Sequence, residues 1–154
     1  MVGTVRRTVD LPASGTRSAD HVVALDSSDP ASELRHLVPG GFDRIVEVAF
    51  SDNADLDAAV AKVGTVIAAY ATREDRPAFP FWPMLFDNIT IRLLGSDDFP
   101  VIAKQQAATD LIEAARDGAL FVSVDEPVPL HRIAAAHERV DASARRRILV
   151  EVDR

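Results

Sequence analysis

Residues 41–71 read GFDRIVEVAFSDNADLDAAVAKVGTVIAAYA, and this stretch decides the fold. Its first apolar run, from Ile45 to Phe50, is short, β-branched and almost continuously hydrophobic, which is typical of a strand buried on both faces of a parallel sheet. Ser51 or Asp52 is then positioned to cap a helix. The residues from Thr65 to Ala71 predict a second strand. A crossover of this length allows a parallel, right-handed return, so the stretch predicts a strand-helix-strand unit.

The helix predicted within this unit has one apolar face, because its hydrophobic residues recur at three- and four-residue spacing. We expect that face to pack on the sheet, Asp57 to face water, and Gly64 to end the helix at the C′ position. Glu47 lies inside the apolar strand, where an ionised carboxylate needs a partner, so we expect an ion pair with Arg44 or Arg92. The apolar positions are Leu56, Ala59, Val60 and Val63.

Composition restricts the classes of function. A chain of 154 residues is long enough for one domain with an ordinary core. Its formal charge of −7 disfavours nucleic acid and anionic lipid as partners. The absence of cysteine excludes disulfides and thiolate chemistry and fits a reducing cytoplasm. No apolar run approaches the length of a membrane helix, and the four histidines are scattered, so we expect a cytoplasmic protein without a metal site.

Strands and helices alternate through the rest of the chain. Pro30 is predicted at the first position of a helix. Ser96–Asp98 is predicted to cap a long helix whose residues Ala108, Leu111, Ile112 and Ala115 face the sheet, and another helix is predicted from Pro129. The alternation predicts an α/β fold with a doubly wound, mostly parallel sheet, with function at the carboxyl ends of its strands. The further predicted strands are Val2 to Arg6, His21 to Leu25, Asn88 to Leu94, Phe121 to Val124 and Ile148 to Val152.

Four segments resemble the medium-chain dehydrogenase/reductases, within them the zinc-free NADPH:quinone oxidoreductase (zeta-crystallin-like) branch. The resemblance is to the cofactor-binding back half only. It implies that residues 1–154 form a single, truncated Rossmann-like domain, with 119–154 as the family's C-terminal strand-helix-strand segment. The segments are GFDRIVEV at 41–48, GTVIAAYA at 64–71, FWPMLFDNITI at 81–91 and PLHRIAAAHE at 129–138.

The sequence also departs from this family. It lacks the family's N-terminal catalytic domain, and its seven glycines contain no G-x-G-x-x-G turn. Val2 to Arg6 resembles the second strand of the family, so the first strand, which is central in the 3-2-1-4-5-6 order, is missing. Strand two could then pair with strand four, a partner chain could fill the gap, or the chain could be a piece of a longer enzyme.

The resemblance implies a set of cofactor-binding residues. Arg6, Arg7 and Thr8 fall where the family reads the adenosine ribose, and an arginine there accommodates the 2′-phosphate of NADP. The alternative is that these are solvated loop residues and that the strand-end residues are ordinary packing. No catalytic residue is identified. The residues implied to line the adenine and nicotinamide ends of the groove are Ala49, Phe50, Ala69, Tyr70, Leu94 and Gly95.

The resemblance further implies the cofactor portion of an NADPH-dependent oxidoreductase that passes hydride to a quinone or enone, inactive as this isolated chain. A non-catalytic remnant acting as an oligomerisation or interaction module is the alternative, and a small binding domain unrelated to dehydrogenases is a third. The alternating Ile89, Ile91 and Leu93 predict that strand 88–94 pairs with its copy in a homodimer. A run of aromatic residues is expected to contact another subunit or the missing domain, with stacking on a quinone or covering of the groove as the alternatives: Phe79, Phe81, Trp82 and Phe86.

Overall fold

The computed structural model describes residues 1–11, 19–120, 122–142 and 146–152. The chain divides into two compact units, Met1–Gln106 and Ala107–Arg154. Every strand pairing in the described residues is parallel, so the predicted α/β class with parallel strands is confirmed. None of the described helices combines the length and hydropathy that crossing a membrane requires.

The first unit alternates strands and helices. The order of the strands matches the sequence prediction, although most of them are shorter in the structure, and the helix at Phe81–Phe86 was not predicted. Pro30 occupies the first turn of its helix as predicted, and Asp29 caps it by accepting a hydrogen bond from the Ser32 amide at 3.0 Å. The elements are β1 Val2–Val5, β2 His21–Ala24, α1 Pro30–Leu37, β3 Phe42–Glu47, α2 Phe50–Val60, β4 Ala61–Ala69, α3 Phe81–Phe86 and β5 Thr90–Leu93, followed by α4 Val101–Arg116.

The strands of this unit form two sheets. β1 pairs with β2, and β4 lies between β3 and β5. In the larger sheet Ile45, Ile67 and Ile91 lie side by side and point to the same face. Within the described residues, β1 has no partner besides β2 and β3 has none besides β4. Strand two therefore does not move over to pair with strand four.

One apolar cluster joins the two sheets. Val23 of β2, Leu34 of α1 and Val60 of α2 form its buried centre, and Val2 of β1 and Ile45 of β3 pack against it. A second cluster around Phe50, Ile67 and Met84 lies between α2, α3 and the larger sheet.

The Arg35 side chain connects α1 to the end of α2. Its Nε donates to the Ala59 carbonyl at 3.0 Å and its Nη2 to the Ala61 carbonyl at 2.7 Å. These bonds occupy carbonyls that the end of a helix leaves without intrahelical partners. The two helices that cover the shared cluster are thereby joined.

The predicted helix boundaries of the central unit are wrong at both ends. The helix starts at Phe50 with Ala49 as N-cap, so neither Ser51 nor Asp52 caps it. It ends at Val60, and the residues from Ala61 onward already belong to β4. Gly64 is therefore a strand residue, not a helix C′ residue, although its φ of +81° is in the left-handed region.

Thr65 explains why the strand begins early. Its fully buried hydroxyl lies 2.5 Å from the Phe42 carbonyl oxygen and 2.7 Å from the Lys62 carbonyl oxygen, which share its single proton, and it accepts from the Lys62 amide at 3.0 Å. Between the paired residues Phe42–Ala61 and Arg44–Val66, β4 contains more residues than β3 and forms a bulge. The hydrogen bonds of Thr65 stabilise this bulge. A bulge of this kind needs a residue that tolerates positive φ, and Gly64 supplies it.

Asp57 is buried, contrary to the prediction that it faces water, and only 4% of its surface is exposed. Burial raises its pKa to about 7, and the negative charge of Glu47 adds to the shift. Glu47 is buried too, but the predicted ion pair with Arg44 or Arg92 is wrong. Its carboxylate accepts hydrogen bonds from the Ala49 amide and from Asn53 Nδ2. The N-cap and first turn of α2 thus supply hydrogen bonds to the Glu47 carboxylate, in place of the expected ion pair with an arginine.

The predicted start of α4 is wrong. Ser96–Asp98 forms a 3-10 turn, the helix begins at Val101, and none of its side chains is buried. Leu111 and Ile112, which were expected to face the sheet, are more than half exposed. Alanine fills much of the predicted stripe, and a methyl group contributes little apolar area to burial.

After α4, the described residues of the second unit form two short parallel strands and a helix. A 3-10 turn at Leu130–Arg132 follows Pro129, so the helix begins later than predicted. The last strand is shorter than the predicted Ile148 to Val152. Phe121, the start of another predicted strand, lies outside the described residues, and Val124 of that strand forms one bridge with Arg147. The elements are β6 Val128–Pro129, α5 Ile133–Asp141 and β7 Val150–Glu151.

Two glycines with the same left-handed backbone form a matched test of packing. A Cβ at Gly41 (φ +79°) would lie 2.9 Å from the Val60 and Ala61 carbonyl oxygens, whereas one at Gly64 would meet nothing within 4 Å. We expect Gly64→Ala to cost about 1 kcal/mol of unfolding free energy from backbone strain alone. Gly41→Ala should cost about 1–3 kcal/mol more, because backbone must move. Urea denaturation measures both, and equal losses would contradict the close contact.

Asp57 predicts a pH dependence of stability. Its pKa rises from 3.8 to about 7 on folding, so the folded state holds a proton that the unfolded state releases. The unfolding free energy should therefore fall as pH rises from about 4 to about 7, by up to about 4 kcal/mol. Asp57→Asn should remove this fall, and Asp55→Asn, at an exposed position of the same helix, should keep it. An Asp57→Asn profile as steep as the unsubstituted one would contradict the assignment.

Candidate functional site

The candidate site is a cavity of about 420 Å³ at the carboxyl ends of β3, β4 and β5. This volume lies in the range of small-molecule sites, and the edge is where parallel α/β sheets bind ligands. The lining is mostly apolar, with a few polar groups that could orient a ligand. The lining residues are Phe50, Ala69, Tyr70, Ala71, Thr72, Asp75, Pro77, Leu93, Leu94 and Gly95.

Backbone hydrogen bonds across the strand ends hold this edge together. The Tyr70 amide donates to the Glu47 carbonyl at 3.1 Å, and the Leu94 amide donates to the Ala69 carbonyl at 2.9 Å. The Phe50 amide, at the start of α2, donates to the Ala71 carbonyl at 3.1 Å. The beginning of the helix is thus fixed against the end of the neighbouring strand, which places the Phe50 ring in the cavity.

The loop after β4 is held by the two residues that were expected to cap the helix. The Ser51 hydroxyl accepts from the amides of Arg73 and Glu74, at 3.2 and 3.4 Å. Asp52 forms an ion pair with Arg73 at 2.7 Å. The loop that supplies Thr72 and Asp75 to the cavity is therefore anchored at its middle to the first turn of α2.

A series of aromatic contacts leads away from the cavity. The Phe50 ring lies 6.4 Å from the Phe79 ring, and the series continues through Phe81 and Trp82 to Phe86 with centroid distances of 5.3–6.5 Å. Phe50 is buried, whereas Trp82 and Phe86 are 64% and 72% exposed. Contiguous exposed aromatic surface of this kind is typical of a contact site.

The structure brings together five of the nine residues that the resemblance implied. Ala49 does not line the cavity, because its amide is turned to the Glu47 carboxylate. Arg6, Arg7 and Thr8 follow β1 and also lie outside the lining. The five residues in the cavity are Phe50, Ala69, Tyr70, Leu94 and Gly95.

The three residues after β1 differ in their availability. Arg7 Nε donates to Asp10 at 3.1 Å, and Thr8 donates to Asp26 through both its amide and its hydroxyl at 2.7 Å. Arg6 is exposed, and its side chain has no hydrogen bond or ion pair among the described residues. Of the two arginines, Arg6 is the one whose guanidinium is available to an anion.

Five lining residues were not named as site residues from the sequence, although Ala71 and Thr72 lie at a predicted strand end, where function was expected. Ala71 and Thr72 continue the strand end, and Asp75 and Pro77 come from the loop held by Ser51. Leu93 was assigned to the dimer edge alone. The polar run that follows Tyr70 and precedes Pro77 was the available signal, since a loop at the carboxyl end of a parallel strand borders the ligand site.

The described residues fit a dinucleotide at its two ends but not in the middle. The apolar cavity suits a flat ring, and Arg6 suits a phosphate. A pyrophosphate needs close backbone approach at a glycine turn after a strand. The described glycines with left-handed backbone are Gly41, before β3, Gly64, inside β4, and Gly118, after α4. None of these is such a turn.

The profile of the family described as zinc-binding dehydrogenase matches residues 18–147. Among curated proteins there is no significant match. The donor set for zinc itself is poor, since the sequence has no cysteine and the described residues contain no cluster of three histidine, aspartate or glutamate side chains. The residues that the structure describes therefore do not fit a zinc ion.

Solved structures share the fold. CurA from Vibrio vulnificus, crystallised with NADPH, superposes with a TM-score of 0.76 at 15% identity over 99% of this chain and 49% of its own. A Sinorhizobium meliloti 1021 protein provisionally assigned as an alcohol dehydrogenase gives 0.77 at 16% identity, over 98% and 43%. A Bacillus thuringiensis protein provisionally assigned as an NADPH:quinone reductase gives 0.72 at 12%, over 97% and 47%.

The chain thus spans less than half the length of these structural neighbours. The likeness extends over almost all of this chain and confirms the Rossmann-like fold. The family profile covers far more than half of the sequence. The chain belongs to the zinc-binding dehydrogenase family of the medium-chain dehydrogenase/reductases.

Proposed function

We propose that this chain is the cofactor-facing portion of an NADPH-dependent oxidoreductase, and that the cavity at the ends of β3, β4 and β5 receives the nicotinamide end of the cofactor. The observation that supports this most directly is the cavity itself. β4 and β5 end at it and α2, which follows β3, begins there; Ala69 and Phe50 give it an apolar floor, and Tyr70 and Thr72 give it polar edges. A flat, weakly polar ring needs such a combination.

Arg6 is the residue proposed to make the chain selective for NADPH over NADH. It follows β1 directly, it is exposed, and its guanidinium is free among the described residues, whereas Arg7 is paired with Asp10. A guanidinium binds a phosphate with paired, charge-assisted hydrogen bonds, and a ribose hydroxyl offers much less to it. The NADPH in the CurA crystals is consistent with this choice of cofactor.

Reduction of a quinone or enone is the proposed reaction of the complete enzyme. The B. thuringiensis neighbour supports an acceptor of this class. Bound NADPH would supply the hydride, and the residues of this chain would hold its ring and shield one face of it. Phe79 and Phe81, which extend from Phe50, offer an aromatic surface on which a planar acceptor could stack.

This isolated chain is proposed to be inactive. The described residues provide no glycine turn for the pyrophosphate, so the cofactor would be held at its ends without its main orienting contact. They also provide no identified group that polarises an acceptor carbonyl.

A non-catalytic interaction module is the second candidate. The exposed aromatic rings of Trp82 and Phe86 favour it, because an apolar surface of this kind is typical of a protein contact. The outer edge of β5 remains the proposed site of homodimer formation. Leu93 is 79% exposed there, and the Leu94 amide bonds inward to Ala69, so the Leu93 backbone points outward.

The cofactor proposal predicts tighter binding of NADPH than of NADH, by roughly tenfold, because Arg6 pairs with the additional phosphate. Arg6→Ala should reduce the preference to near unity. Arg7→Ala should leave most of it, since Arg7 is already paired with Asp10. Calorimetric titration of both nucleotides against the three proteins measures this. Equal affinities for the two nucleotides in the unsubstituted protein would rule out the role given to Arg6.

The inactivity proposal predicts no turnover of quinones or enones by the 154-residue chain at saturating NADPH. Hydride transfer requires the nicotinamide and the acceptor to be held in a fixed relative orientation. The described residues lack the glycine turn that would bind the pyrophosphate and thereby orient the cofactor. NADPH absorbance is followed with several quinones and enones, using heat-denatured protein as the control. Turnover above that control which is lost on substituting Tyr70 or Gly95 would show that this edge forms a working site.

A further inference from the structure

The candidate cavity carries a single charge on its wall. Of the described residues that line it, only Asp75 is ionisable to a charged form near neutral pH, and the others are apolar or uncharged polar residues. Asp75 is exposed, and its side chain has no hydrogen bond or ion pair with another described residue. An otherwise mostly apolar cavity is therefore left with one uncompensated carboxylate.

The basic residues nearest to Asp75 in the chain do not pair with it. The Arg73 guanidinium forms an ion pair with Asp52 at 2.7 Å, at the start of α2. Arg76 follows Asp75 directly, but it does not line the cavity and forms no ion pair among the described residues. An anionic ligand in the cavity would thus meet a carboxylate and no cation, which disfavours acceptors that carry a carboxylate or phosphate.

Aromatic rings add to the preference for positive charge. Phe50 and Tyr70 both line the cavity, and the face of a phenylalanine or tyrosine ring attracts a cation. Phe50 is buried, whereas Tyr70 is 57% exposed and can adjust to a ligand. A flat organic cation would contact aromatic carbon and also gain from the Asp75 carboxylate, while a neutral ring of the same shape would gain only from the contact.

We propose that this cavity binds a planar ring that carries a positive charge in preference to the same ring without it, and that Asp75 makes the distinction. Where the ring is nicotinamide, the inference rests on the proposed function and specifies which state of the cofactor binds more tightly. The ring is neutral in NADPH and has one positive charge in NADP⁺, because the hydride leaves with its electron pair. NADP⁺ should therefore bind more tightly than NADPH and compete with it for the cavity.

The size of the preference follows from the exposure of Asp75. Water screens an exposed carboxylate, so its pairing with a cation contributes little, although the apolar wall of the cavity reduces the screening on one side. A cation over an exposed aromatic ring gains a similarly small amount. The charged ring should accordingly bind about fivefold more tightly than the neutral ring, and not a hundredfold.

Calorimetric titration of the full chain with NADP⁺ and with NADPH tests the inference without turnover. NADP⁺ should bind about fivefold more tightly, and Asp75→Asn, which keeps the shape of the side chain and removes its charge, should reduce the ratio to about twofold or less. Glu74→Gln is the matched control. Glu74 is exposed in the same loop but lies outside the lining, so this variant removes the same charge from the chain and should keep the ratio.

A pair of small rings separates this inference from the cofactor proposal. Nicotinamide methylated at its ring nitrogen is a cation, whereas nicotinamide itself has a similar shape and no charge, and ligand-observed NMR measures millimolar affinities for both. The methylated ring should bind more tightly, and Asp75→Asn should remove most of the difference. Binding of the methylated ring without binding of either nucleotide would contradict the proposed function and support the role of Asp75.

Equal affinities for NADP⁺ and NADPH, or a ratio that Asp75→Asn leaves unchanged, would overturn the inference while the cofactor proposal stands. A ratio that Glu74→Gln reduces as much as Asp75→Asn does would also overturn it, because the preference would then come from the overall charge of the chain. Binding of none of the four ligands would overturn both proposals.

Discussion

The rest of this structure depends on one constraint, which is that the backbone N–H and C=O groups of parallel strands must be hydrogen-bonded. A parallel strand satisfies its N–H and C=O groups only through strands on its two sides. β4 has both neighbours, and its residue Ile67 is fully buried. β1 and β3 each have one neighbour in the described residues, and they are connected through the helices above them rather than to each other. Among the described residues, strand pairing is therefore complete at β4 and one-sided at β1 and β3.

The candidate site lies at the edge of the three-stranded sheet, in which β4 is paired on both sides. Three strands finish at one edge, and bonds from Phe50, Tyr70 and Leu94 fix the strand ends and the start of α2 relative to each other. Ser51 and Asp52 then hold the adjoining loop in place. A ligand ring would meet a preorganised surface there, whereas a pyrophosphate would need backbone that the described residues do not supply.

Hydrophobic periodicity predicted the alternation of elements, the parallel sheet and the carboxyl-end location of the site. The family resemblance, not the periodicity, identified the five predicted residues that line the cavity. The periodicity did not predict that α2 stops at Val60, because a buried hydroxyl at Thr65 makes a bulged strand more stable than another helical turn. The burial of Asp57 was likewise not predicted, because a carboxylate is normally expected to face solvent and the sequence does not show which residues pack around it. The difference between Arg6 and Arg7 depends on the local ion pair of Arg7 with Asp10, which forms in a 3-10 turn that the sequence analysis did not predict.

Amide hydrogen exchange of the free chain, resolved residue by residue, tests the two-edged arrangement most directly. The amides of Ile45 and Ile67 lie within the β3–β4–β5 sheet, whereas those of Thr4 and Val46 point to unpaired edges. Exchange at Thr4 and Val46 should be about 100-fold faster or more than at Ile45 and Ile67. The paired amides can exchange only after their hydrogen bonds open, whereas the unpaired amides exchange directly with water. Protection of Val46 equal to that of Ile45 would mean that the edge is already paired, and would contradict the account.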